Sequence, residues 1–481
     1  MPTFNGAKFI AKSINSVLRQ TFKDFELIII NDGSSDKTKG IIKAYRDQRI
    51  VYIENKKNLG TSKSRNIGLN KSKGKYIAYC DHDDIYYPHH LKVLAEFLER
   101  HPGIGLVYGD SFIKIANNEE MKKQILYSED FDPYKLEIMC FILPLEVMHR
   151  KKCLVKSGWF DESSIIRKHS AEDWDLWLRI SDYFTCYHIN KPLGEFVFHG
   201  HNRSFNTKFD VSYEYVIRKR LKNKDKQPNY TRKCCLGIVN NLLYHRNFNA
   251  AKEIANMFYR IAQTPESRAA LGLCDLAKKD FKPAVRRLRK SLSELSKYKE
   301  RRDFLYRYNL GLLKTSAARA LSFLGHFDEA GKQLKSCLGL ARKLNKSCRF
   351  NYGPGKEEIW AQLALLYVKA GLYPKALEAS QKCNLYVRCQ IKGICYFNKK
   401  LYKKAISAFK KCVELNKIEI KRTINYHDMQ RWAANFPLAY YNIGLAYYKI
   451  SKLTMARNFF KKALKINPNF LRAKAYLEYI G

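Results

Sequence analysis

No run of apolar residues in this chain approaches the ~18 to 20 needed to cross a bilayer as a helix. The longest candidate, Ile138 to Met148, is broken by Pro144 and Glu146. The opening Met-Pro-Thr-Phe-Asn-Gly has neither a basic segment leading into an apolar one nor a cleavage site, so secretion is not expected. Paired C-x-x-C clusters are missing, which removes the usual signature of a structural zinc site. Thirteen cysteines remain, an odd number, and Cys383, Cys395 and Cys412 sit at apolar positions of predicted helices. Reduced, buried thiols in a cytoplasmic protein are the expectation. Acidic residues are scarce: 45 Asp plus Glu stand against 88 Lys plus Arg, a net charge of +43. Such a surplus draws in anions, among them nucleotide sugars, anionic lipid and nucleic acid. Because the lysines recur throughout the chain, most of them read as solvated helix faces. No base-reading motif accompanies them, which argues against nucleic acid.

What is present is globular. With 481 residues, 46% hydrophobic and 28% charged, the chain has room for two or three domains with real cores. Strand and helix signals alternate through the first two hundred residues. Phe25 to Ile30 is a short apolar run ending at the turn Asn31-Asp32-Gly33, and a helical pattern, Lys37 to Arg46, follows. Ile50 to Glu54 predicts a strand, Ser62 to Lys71 a helix, and Tyr76 to Cys80 a buried strand. That alternation predicts an α/β domain with a mostly parallel sheet, in which ligands bind beyond the carboxyl ends of the strands. The loops after Ile30 and Cys80 are therefore where a site belongs.

From about residue 230 only helical patterns remain, and they repeat. Tyr440, Ile443, Gly444, Tyr447, Ala456, Phe460, Ala463 and Pro468 fall on the spacing of the 34-residue tetratricopeptide repeat. Gly393, Tyr396, Ala405, Phe409 and Cys412 form the copy before it, and Trp360, Ala364, Tyr367, Ala376 and Cys383 the one before that. Weaker copies surround Ala330, Ala284 and Ala251, for about six helical pairs in an all-α solenoid. Its aromatic residues are packing residues, and its concave face would take a partner. The expected boundaries are 1–204 for the first domain, 205–230 for a connecting helix or linker, and 231–481 for the repeats.

Three acidic elements could carry chemistry. Asn31-Asp32-Gly33-Ser34-Ser35-Asp36 also satisfies the demands of a simple turn followed by a capped helix. Asp81-His82-Asp83-Asp84 places three carboxylates within four residues, and their mutual repulsion needs a cation or solvent to relieve it. A hard divalent cation, Mg²⁺ or Mn²⁺, takes such oxygen ligands and bridges them to substrate phosphate. Ser170-Ala171-Glu172-Asp173-Trp174-Asp175-Leu176-Trp177 opens an amphipathic helix, where Ser170 and Asp173 could form a capping box.

In order and context these elements resemble the inverting family 2 glycosyltransferases of GT-A fold. The similarity runs from Pro2 to about Ser204 and takes in Pro-Thr-Phe-Asn, Ser16-Val17-Leu18-Arg19-Gln20-Thr21-Phe22, Asn31-Asp32-Gly33-Ser34, Ser64-Arg65-Asn66-Ile67-Gly68, Tyr76-Ile77-Ala78, Gly158-Trp159-Phe160-Asp161-Glu162 and Glu172-Asp173-Trp174. The resemblance implies transfer of a sugar from a nucleotide-diphosphate sugar, a UDP-sugar first among them, to a saccharide, lipid-linked or protein acceptor, as in polysaccharide biosynthesis. Thr3 and Phe4 would lie at the nucleotide, with Phe4 packed on the base and Asp32 hydrogen-bonded to it. Asp83 with Asp81 would hold the metal under the diphosphate, and Asp173 would be the general base. Arg65 and His199 or His201 are further candidates for the diphosphate, set against a purely structural role. The repeats would recruit a protein partner or the acceptor, and the basic chain could sit peripherally at the inner face of a membrane. The family carries an apolar strand directly before Pro-Thr-Phe-Asn, where this chain has Met1, so that central strand is expected to be missing, through a start assigned too late or through degeneration. The alternative is a degenerate sugar-binding scaffold acting through its repeats. The sequence names neither sugar, acceptor nor oligomeric state.

Overall fold

Three strands linked by helices run parallel, because a crossover helix returns the chain to the same end of the sheet. They are β1 (Pro2–Thr3), β2 (Leu27–Asn31) and β3 (Ile50–Glu54), in the order β1-β2-β3. Thr3 stands opposite Asn31 and Asn31 opposite Glu54, so the three carboxyl ends finish level and deliver Phe4, Asp32 and Asn55 to one rim. Pro2 and Thr3, the first residues of the Pro-Thr-Phe-Asn motif, themselves form the two-residue β1 beside β2.

A second, six-stranded sheet comprises β4 (Tyr76–Ala78), β5 (Ile85–Tyr86), β6 (Ile104–Asn117), β7 (Glu120–Tyr127), β8 (Val147–Arg150) and β9 (Thr185–Phe198). Its order is β4-β8-β6-β9-β5, with β7 on β6. Only β6 and β9 run parallel there, so the α/β domain sets a short all-parallel sheet beside a mixed one. Ile10, Ile14, Leu94, Leu98, Val107 and Leu145 are among the side chains that fill the core between sheets and helices.

The computed structural model describes residues 1–481 except 118–119, 200–201, 203–208, 225–227, 297–303, 345–355, 423–425 and 481. They divide into two compact units, Met1–Ala270 and Leu271–Gly481. The segment expected to connect the domains contains the helix Phe209–Lys224, which is packed into the first unit. Tyr213 stacks on Trp174 at 5.1 Å and donates its hydroxyl to the Ile138 carbonyl at 2.8 Å. Lys219 pairs with Asp161 and Asp175, and Arg220 with Glu137 and Asp182.

The remaining helices come in pairs: Pro228–Tyr244 with Phe248–Ile261, Pro265–Ala277 with Phe281–Leu295, Phe304–Phe323 with Phe327–Leu344, Lys356–Lys369 with Tyr373–Ser380, Leu385–Asn398 with Tyr402–Arg422, and Tyr426–Lys449 with Leu453–Ile466. The helix Leu471–Tyr479 follows them. The first pair, a weak copy in the sequence, falls in the first unit.

All six pairs turn in the same way. A residue of positive φ (Arg246, Lys279, Gly325, Gly371, Lys400 and Ser451 in turn) ends the first helix. The next amide reaches back to a carbonyl of the last turn, as in Lys452 to Tyr447, Leu401 to Tyr396 and Leu372 to Tyr367. This left-handed cap satisfies carbonyls that the helix end leaves bare. In the last two pairs the helices touch where the first carries glycine. A Cβ on Gly393 would lie 2.4 Å from Phe409, and one on Gly444 would lie 2.6 Å from Phe460. The repeat spacing read from sequence is thus a packing rule, small residue against aromatic ring. The cysteines behave as expected: all twelve of the described ones are free, and every one except Cys140 is buried.

Candidate active site

The carboxyl rim of the first sheet is a folded loop cluster. Asn5, at φ 51°, uses its side chain to accept from the Ser35 amide and its own amide to donate to Ser34, tying the segment after β1 to the loop after β2. Phe4 projects from this rim, 44% exposed. Thr3 is buried, its Oγ1 without a hydrogen-bond partner among the described residues, and Gly6 lets the backbone pass so close that a Cβ would meet Thr3 and His82 at 2.6 Å. Asp32 is buried and accepts from the side chain of Asn55 (2.8 Å) and the amides of Leu59 (2.9 Å) and Gly60 (2.8 Å). Its present role is therefore to hold the loop 55–60 in place.

Arg65, on the helix Thr61–Lys71, is the hub of the site. Its guanidinium grips Asp81 bidentately at 2.9 and 3.0 Å, donates to Glu172 at 3.2 Å, and lies over the rings of Phe160 and Tyr79. Burial alone would lower its pKa, but Asp81, Glu172 and Asp173 together carry it above the ordinary arginine value. A buried cation is tolerated when it is paired in this way. The guanidinium in turn gathers three carboxylates from two distant parts of the chain.

Asp173 stands in the first turn of the helix Glu172–Ser181 and is half-buried. Burial and the charge of Glu172 push its pKa up to about 6 against the opposing pull of Arg65, while its Oδ1 accepts from the Trp174 amide at 2.8 Å. The capping box expected of Ser170 and Asp173 does not form. Ser170 and Ala171 both have positive φ, 71° and 81°, which moves the cap to Ala171 and turns the Ser170 hydroxyl to Glu172 at 3.3 Å. Two consecutive left-handed non-glycine residues are costly, and such strain concentrates at functional sites. It sets the Glu172-Asp173 pair at the helix head.

The acidic loop after β4 divides its carboxylates. Asp81 faces Arg65, whereas Asp83 accepts from His199 Nε2 at 3.0 Å and Asn202 Nδ2 at 3.2 Å. Burial works to raise the Asp83 pKa, and the hydrogen bond from His199, with His82 nearby, holds it below its usual value. Asp84 is buried beneath them; burial and the charges of Asp83 and Asp81 push it well above the carboxylate range. His199 also stacks on Phe9 at 4.2 Å. Asn202 accepts from the His199 amide at 2.9 Å and donates to the Val197 carbonyl at 3.0 Å.

The structure thus brings Arg65, Asp81, Glu172 and Asp173 into one electrostatic cluster and joins Asp83 to His199. His201 lies outside the described residues. Glu172 and Asn202 were not singled out from sequence. Glu172 was legible only as part of its motif, and Asn202, following two histidines, carried no local signal.

Level strand ends, with buried carboxylates and a strained helix head beyond them, mark one rim of an α/β domain that is followed by helical repeats. Residues 1–162 match the Glycosyl transferase family 2, and residues 388–418 and 437–470 match the tetratricopeptide repeat. An uncharacterized glycosyltransferase of Methanocaldococcus jannaschii is 30% identical over 234 residues, covering 47% of this chain and 70% of that protein. Uncharacterized glycosyltransferases of Rickettsia typhi and Rickettsia prowazekii are 32% and 30% identical, over 39% and 40% of this chain. The chain spans about three fifths of those two relatives, 60% and 61%. Among solved structures, residues 1–349 of S. aureus TarS align with a TM-score of 0.42 at 17% identity, over 62% of this chain and 91% of that one. The chain belongs to glycosyl transferase family 2, with tetratricopeptide repeats after its transferase domain.

Proposed function

We propose that the first unit transfers a sugar, with inversion, from a nucleotide-diphosphate sugar to an acceptor hydroxyl, and that the repeats recruit the acceptor or an assembly partner. The observation that carries this reading is the place of Asp173, at a strained helix head beside Glu172 and Arg65, where burial and the Glu172 charge push its pKa up to about 6. A base in that range is ionised at neutral pH and still basic enough to draw a proton from a hydroxyl as it attacks, help typically worth ~10² to 10⁴ in rate. Glu172 and Arg65 position it. Exposed Phe4 offers a flat face to the nucleotide base, with Thr3 and the Asp32 loop beside it.

Asp83, with Asp81, would hold a divalent cation, Mg²⁺ or Mn²⁺, whose charge would also relieve the crowding of Asp81, Asp83 and Asp84. When bound, such an ion neutralises charge developing on a departing diphosphate. Among the described residues no group of three or more His, Cys, Asp and Glu is placed to hold a metal alone, so substrate phosphate would complete the shell.

The division of labour follows the expected boundaries: residues 1–204 for transfer, 205–230 as the connecting helix region and 231–481 for recruitment. No described helix is long and apolar enough to cross a membrane, and a cytoplasmic chain seated peripherally on the inner face is part of this reading. Titrating a panel of nucleotide sugars with and without Mn²⁺ tests it. Asp83→Ala should lose metal-dependent donor affinity while the repeats stay folded; unchanged affinity overturns the metal assignment.

A further inference from the structure

The charge surplus is not evenly shared. The second unit holds 44 of the 88 basic residues but only 14 of the 45 acidic ones, a net +30 of the total +43. Within it, three consecutive helix-to-helix turns stand out: residues 367–375, 396–404 and 447–455. Together they contain eight lysines (Lys369, Lys375, Lys399, Lys400, Lys403, Lys404, Lys449 and Lys452) and no Asp or Glu. All eight are exposed. Since successive hairpins stack side by side, their equivalent turns line one edge of the array. Lys399 of one turn lies 5.8 Å from the ring of Tyr373 in the preceding one, which shows the adjacency directly.

The same edge bares apolar side chains. Leu372, Leu401 and Leu453 are 42%, 44% and 44% exposed, and Met455 38%. Each leucine falls within two residues of the left-handed residue of its turn, Gly371, Lys400 or Ser451. A turn in water gains nothing by presenting leucine at its tip, and three in a row among lysines form a mixed surface with apolar points and a basic surround. Tyr373 and Tyr402 sit half-buried behind them.

We propose that this edge docks on an anionic bilayer surface, lysines at headgroup level and leucines in the interfacial zone. The proposal deepens the peripheral-membrane part of the reading above and is independent of the transferase chemistry. Lysines alone would serve any polyanion. The leucines favour lipid, because a phosphate polymer in water has no apolar layer to receive them, whereas a membrane interface rewards buried apolar area and attracted Lys together.

The test is cosedimentation of the full chain with phosphatidylcholine vesicles, pure or containing about a third phosphatidylglycerol, without donor. Binding should need the anionic lipid and fall with salt, since the Debye length is only ~10 Å at 0.1 M. Substituting Lys399, Lys400, Lys403 and Lys404 by Gln should lower partitioning ~100-fold or more. Leu372, Leu401 and Leu453 to Ser should lower it ~10-fold while leaving binding of a single-stranded nucleic acid unchanged. In an otherwise native chain, Leu401→Trp should shift its fluorescence to the blue on adding anionic vesicles. Lys332→Gln with Lys335→Gln, the same charge change on the helix Phe327–Leu344 away from the turns, should cost far less than Lys400→Gln with Lys403→Gln. No binding to anionic vesicles, no blue shift, or equal losses from the two lysine pairs would overturn the assignment. A preference for nucleic acid with the leucines irrelevant would do the same. Donor turnover, measured separately, reports on the transferase reading alone.

Discussion

Among the described residues the first unit buries thirteen Asp, Glu, Lys and Arg side chains, including Asp32, Arg65, Asp84, Glu146 and Glu172, while the second buries only Asp275. The difference is one of use. Removing an ionisable group from water is expensive unless it is paired or gives up its charge, so a unit that does so thirteen times is built around fixed electrostatic environments. The repeats leave their charge in solvent and hold together by small residues against rings. In the function proposed above, the first unit alters the reactivity of bound groups and the second presents a surface. Perturbation experiments should separate them.

The largest effect is expected at Asp173. Asp173→Asn should reduce turnover by ~10² or more with little change in melting temperature. As a base with a pKa of about 6, Asp173 must be ionised, so wild-type turnover should decline as pH falls through 6. A melting-temperature drop with turnover preserved would return Asp173 to a structural role. Next comes Arg65→Met, which strands Glu172 in the interior opposite Asp81 and should destabilise the first unit by about 3 kcal/mol, read by denaturant titration. A neutral outcome would mean that the buried charges are not what organises this unit. Smaller again is Gly444→Ala, whose Cβ meets Phe460 at 2.6 Å and should cost the second unit about 1 to 3 kcal/mol with donor turnover intact. The smallest is Lys461→Gln with Lys462→Gln, both exposed on the helix Leu453–Ile466. Thermal melting should move by no more than about 0.5 kcal/mol of stability, because solvated charges contribute little.

Sequence and structure agree most where local pattern and packing coincide. The strand Ile50 to Glu54 and the repeat positions Gly393, Phe409, Gly444 and Phe460 were readable because periodicity records the neighbour each residue meets. Even the weak copies at Ala251, Ala284 and Ala330 fold as pairs with the same turn. Asp32, Asp83 and Asp173 were singled out through the resemblance, since each sits in a short contiguous motif. What they touch was not. Arg65 meets Glu172 across 107 positions and Asp83 meets His199 across 116, and no window of sequence spans such distances. The capping box failed for a related reason: Ser170 and Ala171 adopt a left-handed backbone that neither residue type favours, which only tertiary packing can impose. The antiparallel pairings of β6 and β8 escaped notice because an apolar run does not encode its direction.

The left-handed turn closing every helical pair carries its own consequence for how the array can be altered. Only Gly325 and Gly371 fill that position with the residue suited to it; Arg246, Lys279, Lys400 and Ser451 adopt it at a cost of roughly 1 kcal/mol each. Those four positions are reserves of unspent stability, spaced along the chain like tuning pegs. Exchanging any of them for glycine relieves the backbone without touching a packed side chain. Lys400 is the exception in kind, since its side chain belongs to the basic edge, and there the ease of the turn and the attraction of the surface pull in opposite directions.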